Sequence, residues 1–335
     1  MSQRVPGIGT RSSGFLAPHT KFSPFAGAQA AVAWGGGVCA DRGVTGVMAT
    51  VSHAIAAMMH PLTCCSLSRM RILLLLASLS IVSANPVFAQ LAPYNSEGLT
   101  TGHFHMFVND PDPIKKIFVE MLGGRVTATG SLELISFPGI MVVLGKSRTP
   151  PTGGSDGSTV NHVGFKVKDL APIKAKFAAA GLTLALDNDR AKQIIANFPE
   201  GVRVEFTEDT ALSTPIAFHH FHLSTPNQEA QRAWYVKTFG GVEGMRGTFP
   251  AAMFPAGEAD FLKAPAPQAP TKGRSLDHIG FDVANLDEFS KRLAANGLKF
   301  DAPIRQIPNG KTRVAFFSDP WGTYIEVTEN LAPSK

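Results

Sequence analysis

Between Asp277 and Val283 the apolar residues Ile279, Phe281 and Val283 alternate with His278, Gly280 and Asp282, so the two sets fall on opposite faces of one strand. The apolar face predicts a helix packed against it; the histidine face is left for something else. Asn285 followed by Glu288 makes a capping box, Leu286, Phe289 and Leu293 recur at helical spacing, and Gly297 ends the run as a left-handed cap requires.

This strand-turn-helix unit recurs. His103 leads to Asp110, Pro111 and Gly123, His162 to Asp169 and Gly181, and His220 to Thr225, Pro226 and Gly240. The interval from His to Gly is 20 residues in the first and third units and 19 in the second and fourth. The first and third units also carry a second histidine two positions on, His105 and His222. Periodicity within periodicity indicates a small supersecondary unit duplicated twice.

Each unit continues into extended segments. In the fourth, residues 300–307, 312–318 and 323–329 are separated by Pro308-Asn309-Gly310 and Asp319-Pro320-Trp321-Gly322, both turn formers. The expected fold is therefore α+β, four tandem βαβββ modules. Residues 147–159 and 265–275, rich in Pro, Gly and Ser, read as exposed crossovers joining the halves of each domain. The break between domains is expected at 209–215, giving domains 102–208 and 216–330, each built from two successive modules.

Such paired modules, with histidine on the first strand and glutamate on the last, resemble the vicinal oxygen chelate superfamily. That group includes glyoxalase I, type I extradiol dioxygenases and the bleomycin resistance proteins. The resemblance covers roughly residues 102–330. It implies that each pair of modules forms one incomplete-barrel cup, two cups in all, with a divalent metal on its concave face, held by histidines and a carboxylate. In the C-terminal domain the matching positions are His220, His278 and Glu326, in HHFHLSTPN, DHIGFDV and DPWGTYIEVTE. In the N-terminal domain they are His103, His162 and Glu205, the last in GVRVEFTED. Two neutral imidazoles and one carboxylate leave about half of a metal's coordination sphere open to a chelating substrate and admit Fe, Mn, Zn, Ni or Co. Catalytic roles are expected for Glu326, as ligand, and for His222, which shares the His220 face and could move a proton.

Departures from the subfamilies narrow the reaction. An extradiol dioxygenase would carry a further histidine within 307–317 and a tyrosine where Phe316 stands. Glyoxalase I would add a fourth ligand on the last strand of the first and third modules, where Val143 and Phe261 are the expected matches. Asp260 and Glu258 lie one residue out of phase with that assignment. The expectation is an enzyme of the glyoxalase/dioxygenase type acting on a small vicinal-oxygen substrate. The alternatives are an extradiol ring-cleavage dioxygenase or a non-catalytic binding protein of the bleomycin-resistance type. Trp234 and Tyr235 sit with Phe239 at the spacing of a packed helix face.

Composition changes the picture mainly at the N-terminus. The formal charge of +5 and pI near 9.1 come without a dense Lys/Arg run interleaved with aromatics, so nucleic acid is not an expected partner. Residues 1–69 have no strong periodicity and read as an over-extended start or an unstructured extension. Residues 70–89 read as a secretory signal peptide, with Arg69 and Arg71 before an apolar stretch at 72–84 and Val87-Phe88-Ala89 before Gln90. Those 13 residues reach about 20 Å as a helix, short of the roughly 30 Å of a hydrocarbon core, so no membrane anchor should remain after cleavage. Cys39, Cys64 and Cys65 all precede Gln90, so the mature chain has nitrogen and oxygen ligands only. A secreted or periplasmic monomer or homodimer is expected.

Overall fold

The structure is a computed structural model that describes residues 91–332; the expected extension, signal peptide and cysteines lie outside them. Four modules follow one another. The first comprises β1 (Leu99–Val108), a short helix α1 (Asp112–Lys116) that runs on as one π turn (Ile117–Met121), β2 (Arg125–Thr129), β3 (Leu132–Phe137) and β4 (Ile140–Lys146). The second has β5 (Val160–Val167), α2 (Ala171–Ala179), β6 (Leu184–Asn188), β7 (Gln193–Asn197) and β8 (Arg203–Glu208). The third has β9 (Ile216–Thr225), α3 (Gln228–Phe239), β10 (Val242–Arg246), β11 (Phe249–Phe254) and β12 (Gly257–Lys263). The fourth has β13 (Leu276–Val283), α4 (Leu286–Ala295), β14 (Arg305–Gln306), β15 (Arg313–Ser318) and β16 (Tyr324–Glu329). The expected βαβββ order thus holds in all four.

Helix ends form where the sequence supplies their caps. Asn285 Oδ1 accepts the backbone N–H groups of Asp287 and Glu288 at the start of α4. Asn227 does the same for Ala230 at α3, which ends at Gly240 with φ 67°, a left-handed conformation that favours glycine.

The modules assemble into two curled eight-stranded sheets, ordered β14-β15-β16-β13-β1-β4-β3-β2 and β10-β11-β12-β9-β5-β8-β7-β6. Sheet 1 therefore joins the first module to the fourth, through antiparallel β1 and β13, and sheet 2 joins the second to the third, through β5 and β9. This corrects the expected domains 102–208 and 216–330. Neither pair of successive modules closes a cup at that boundary; the chain leaves sheet 1 after β4, makes all of sheet 2, and returns.

Connection lengths give the physical reason. β8 and β9 flank β5 and run antiparallel to each other, so their facing ends are about 10 Å apart. The seven residues 209–215 span that gap within one sheet. The segments 147–159 and 264–275, of 13 and 12 residues, instead carry the chain between sheets. They are not loose crossovers: Thr159 N–H donates to Ala269 O at 2.9 Å, Ser275 N–H to Gly153 O at 2.9 Å, and Ser155, Ser158 and Thr271 are buried.

One apolar core serves both sheets. The strand faces opposite the histidines carry Phe104, Phe165, Phe221 and Phe281, and rings meet across the sheets at Phe104–Phe165 (6.4 Å) and Phe221–Phe281 (6.5 Å). Trp234 and Tyr235 pack with Phe239 in this layer, and Tyr235 is fully buried. Each sheet's polar concave face is thereby turned away from the shared core. Among the described residues no helix is long and apolar enough to cross a membrane.

Candidate metal centres

Strand alternation puts His103 and His105 on the concave face of sheet 1, and His220 and His222 on that of sheet 2. The antiparallel register sets His103 opposite Gly280 and His220 opposite Gly164. Those glycines are required by space: a Cβ on Gly280 would lie 2.1 Å from His103 Cε1, and one on Gly164 2.1 Å from His220 Cε1. Each imidazole lies flat across the partner strand and reaches the glutamate beyond it.

Two clusters result, His103, His278 and Glu326 in cup 1 and His162, His220, His222 and Glu205 in cup 2. The expected trios are corrected by exchange of their first histidines. His103 belongs with His278 and Glu326, and His220 with His162 and Glu205, because β1 pairs with β13 and β9 with β5. His222, expected to move a proton for the set ending in Glu326, lies instead in cup 2, and the residue in its place in cup 1 is His105.

In cup 1, Glu326 Oε2 lies 2.9 Å from His103 Nε2 and 2.8 Å from His278 Nε2. His278 Nδ1–H donates to Asp277 Oδ1 at 2.7 Å, which turns Nε2 toward the cluster. Burial opposes a charge on His278, but Asp277 and Glu326 outweigh it and raise the imidazole to about 9. Burial likewise opposes ionisation of Glu326, and the two histidines overcome it, holding the carboxyl below its usual range. Phe107, Phe316 and Tyr324 wall the cup. Phe316 and Tyr324 stack at 5.3 Å and meet His278 edge-on at 5.4 and 5.8 Å.

In cup 2, Glu205 Oε2 lies 3.0 Å from His162 Nε2 and 3.8 Å from His220 Nε2. His222 Nδ1 is 3.0 Å from His162 Nε2, and Asn161 Oδ1 takes the place of Asp277, accepting from His162 Nδ1–H at 2.8 Å. The other oxygen of Glu205 accepts from Arg246 Nη2 at 2.6 Å. Burial opposes its ionisation, yet His162, His220 and Arg246 hold Glu205 below the usual carboxylate range.

Register also corrects the fourth position of the third module. Asp260, not Phe261, pairs with His222, and Glu258 pairs with His220, while Phe261 points into the core. Both carboxylates face cup 2 beside Arg246, at 3.2 Å for Asp260 and 3.7 Å for Glu258. Burial and the neighbouring Glu258 push the Asp260 carboxyl up to about 8. In the first module Val143 pairs with His105, as expected. Sequence reading missed Asp277, Asn161 and Arg246; the repeated Asp/Asn-His-Ile/Val-Gly-Phe in the second and fourth modules was the available signal for the first two.

The donor sets fit a divalent ion. Ligands at about 2.1 Å from one centre lie about 3.0–3.5 Å from each other, and the donor atoms within each cluster lie within 4.8 Å of one another. Every donor residue is buried, from 0% exposed at His220 to 7% at Glu326, so isolated charges there would be costly without a counter-ion. A surface cleft of about 540 Å³ beside Val236, Lys237 and Arg292 holds no such cluster.

The Glyoxalase/Bleomycin resistance protein/Dioxygenase superfamily model matches residues 217–327, the third and fourth modules. No curated protein matches the chain by sequence. Among solved structures, glyoxalase I from Zea mays is similar, with TM-score 0.56 and 16% identity over 69% of this chain and 92% of that one. A candidate dioxygenase from Bacillus subtilis is similar at TM-score 0.53 and 14% identity, over 72% and 86%. These likenesses concern the fold, and both extend over all four modules' worth of chain. Residues 217–327 belong to the Glyoxalase/Bleomycin resistance protein/Dioxygenase superfamily, and the first and second modules repeat the same βαβββ architecture.

Proposed function

We propose that the protein is a metal-dependent enzyme of the glyoxalase/dioxygenase type and that cup 1 is its reaction site. The observation that carries this reading is the three-donor set: His103 and His278 converge on one oxygen of Glu326, and the in-register fourth position is the apolar Val143. A divalent metal held there has positions left for two adjacent oxygens of a small substrate and stabilises negative charge developing on them. The membership of the third and fourth modules in the superfamily supports the same chemistry.

The chain's own residues account for the rest of the site. Phe107, Phe316 and Tyr324 exclude water and give the substrate a flat wall. Asp277 fixes the orientation of His278. His105 lies beside His278, at 4.8 Å between ring centres, and its Nε2 has no protein partner. It is the proton carrier in place of the expected His222. Each cup is completed within one chain, so a monomer suffices.

Export belongs to the same proposal: residues 70–89 are removed and the mature chain begins near Gln90. N-terminal sequencing of protein from an extracytoplasmic fraction tests it, and a start upstream of residue 58 would overturn it.

The function is tested by reconstituting the protein anaerobically with Fe(II), Mn(II), Co(II), Ni(II) and Zn(II) and assaying 2-oxoaldehyde thiol adducts and catechols. Metal-dependent turnover that is lost in Glu326→Gln supports the reading. A metal-loaded protein that binds such compounds but turns none over would replace it with the binding-protein alternative.

A further inference from the structure

We infer that the two cups have different work. Cup 2 is a closed metal site in which His222 is a fourth ligand, and its ion stabilises the fold rather than meeting a substrate. The inference shares with the proposed function only the premise that these cups take metal.

The two cups can be compared position by position. His105 and His222 occupy the same place, each opposite the second histidine of its cup, His278 and His162. Their rings behave differently because of the residue two further along the strand. In cup 1 this is Phe107, on which His105 stacks at 4.1 Å and 23°. That contact draws the ring out of the donor cluster, which contains only His103, His278 and Glu326. In cup 2 it is Ser224, which offers no ring to stack on, and His222 turns its Nδ1 to 3.0 Å from His162 Nε2. Its own Nε2 is buried without a partner.

Arg246 binds the neighbouring carboxyl groups. It is ion-paired to Asp260 and Glu258, the carboxylates in register with His222 and His220, and neither belongs to the cluster. It also binds the outer oxygen of Glu205 and leaves the other to face the imidazoles. Cup 1 has Thr129 at the corresponding end of β2 and Val143 and Met141 in place of the two carboxylates. Three protein ligands leave a catalytic position open, whereas four close a site and make it structural.

The test uses the purified full chain loaded with Zn(II), a challenge with excess EDTA, and metal release followed with time. Two phases are expected, a fast one from cup 1 and a slow one from cup 2. His222→Ala should accelerate the slow phase by at least about tenfold, and His105→Ala should leave it unchanged. Phe107→Ser, which frees His105 to turn inward, should slow the fast phase. This gain does not depend on His222→Ala folding. A single fast phase in the unmodified protein, or a slow phase indifferent to His222→Ala, would overturn the inference. A fast phase surviving alone would leave the proposed function standing without it; a slow phase surviving alone would do the reverse.

Discussion

Alanine at Gly280 puts a methyl group 2.1 Å from His103 Cε1 and 2.3 Å from Nδ1. Carbon atoms in contact prefer about 3.5–4.0 Å, so the imidazole has to retreat by about 1.5 Å. Gly280 is not among the residues with positive φ, so alanine brings no backbone strain and the whole effect passes through His103. Overpacking costs about 1–3 kcal/mol, and loss of the 2.9 Å contact with Glu326 about 1.5–3 kcal/mol. Alanine's lower unfolded-state entropy returns about 0.5–1 kcal/mol. A net loss of about 2–5 kcal/mol lowers the melting temperature of a domain this size by about 4–20 °C. Metal affinity at cup 1 should fall at least about 100-fold, since one ligand of three is displaced rather than merely less well oriented. Scanning calorimetry of the metal-free protein and competition titration with a chromogenic chelator measure both. The first-strand histidine that shares the loss identifies the pairing of modules. His103→Ala added to Gly280→Ala should cost little further binding, because both act on one site, whereas His220→Ala should weaken binding of the remaining ion. If Gly280→Ala instead suppressed the binding that His220→Ala suppresses, His103 would not lie over Gly280 and the assembly of first with fourth module would be wrong.

Three other substitutions probe the support around the sites and in the core. Asp277→Asn should weaken metal binding in cup 1 by about 10–100-fold, and Asn161→Asp should tighten cup 2 because a carboxylate makes the ligand imidazole more basic; equal affinities before and after, by the same titration, would count against the oriented-histidine argument. Tyr235→Phe removes the hydroxyl that donates to Asp319 Oδ2 at 3.0 Å, leaving that oxygen with Gln231 alone. A loss of about 1–3 kcal/mol in urea unfolding with unchanged metal content is expected.

Much of the site was legible in the residues themselves. Alternation in β13 and the His-to-Gly spacing gave four βαβββ modules, and the motifs gave six of the seven clustered donors as ligand positions, because side-chain direction on a strand is a local property. The seventh, His222, was visible as a histidine sharing their face, but its role was not. Pairing was invisible to that logic. The second and fourth modules both offer a glycine two residues after the histidine, Gly164 and Gly280, so either can accept either His103 or His220. The lengths of the segments 147–159, 209–215 and 264–275 did carry a hint, since only the short one has to stay within a sheet. Asp260 and Phe261 show the limit in miniature, because one residue of register decides which of them faces the cup and only the hydrogen-bonded partner strand sets it. Arg246, on another strand altogether, became part of the site only when the sheet curled. Sequence by itself therefore determined the modules, their faces and the donor chemistry, which depend on neighbours in the chain. The tertiary structure alone decided which donors meet, because that depends on which strands exchange hydrogen bonds across the length of the molecule.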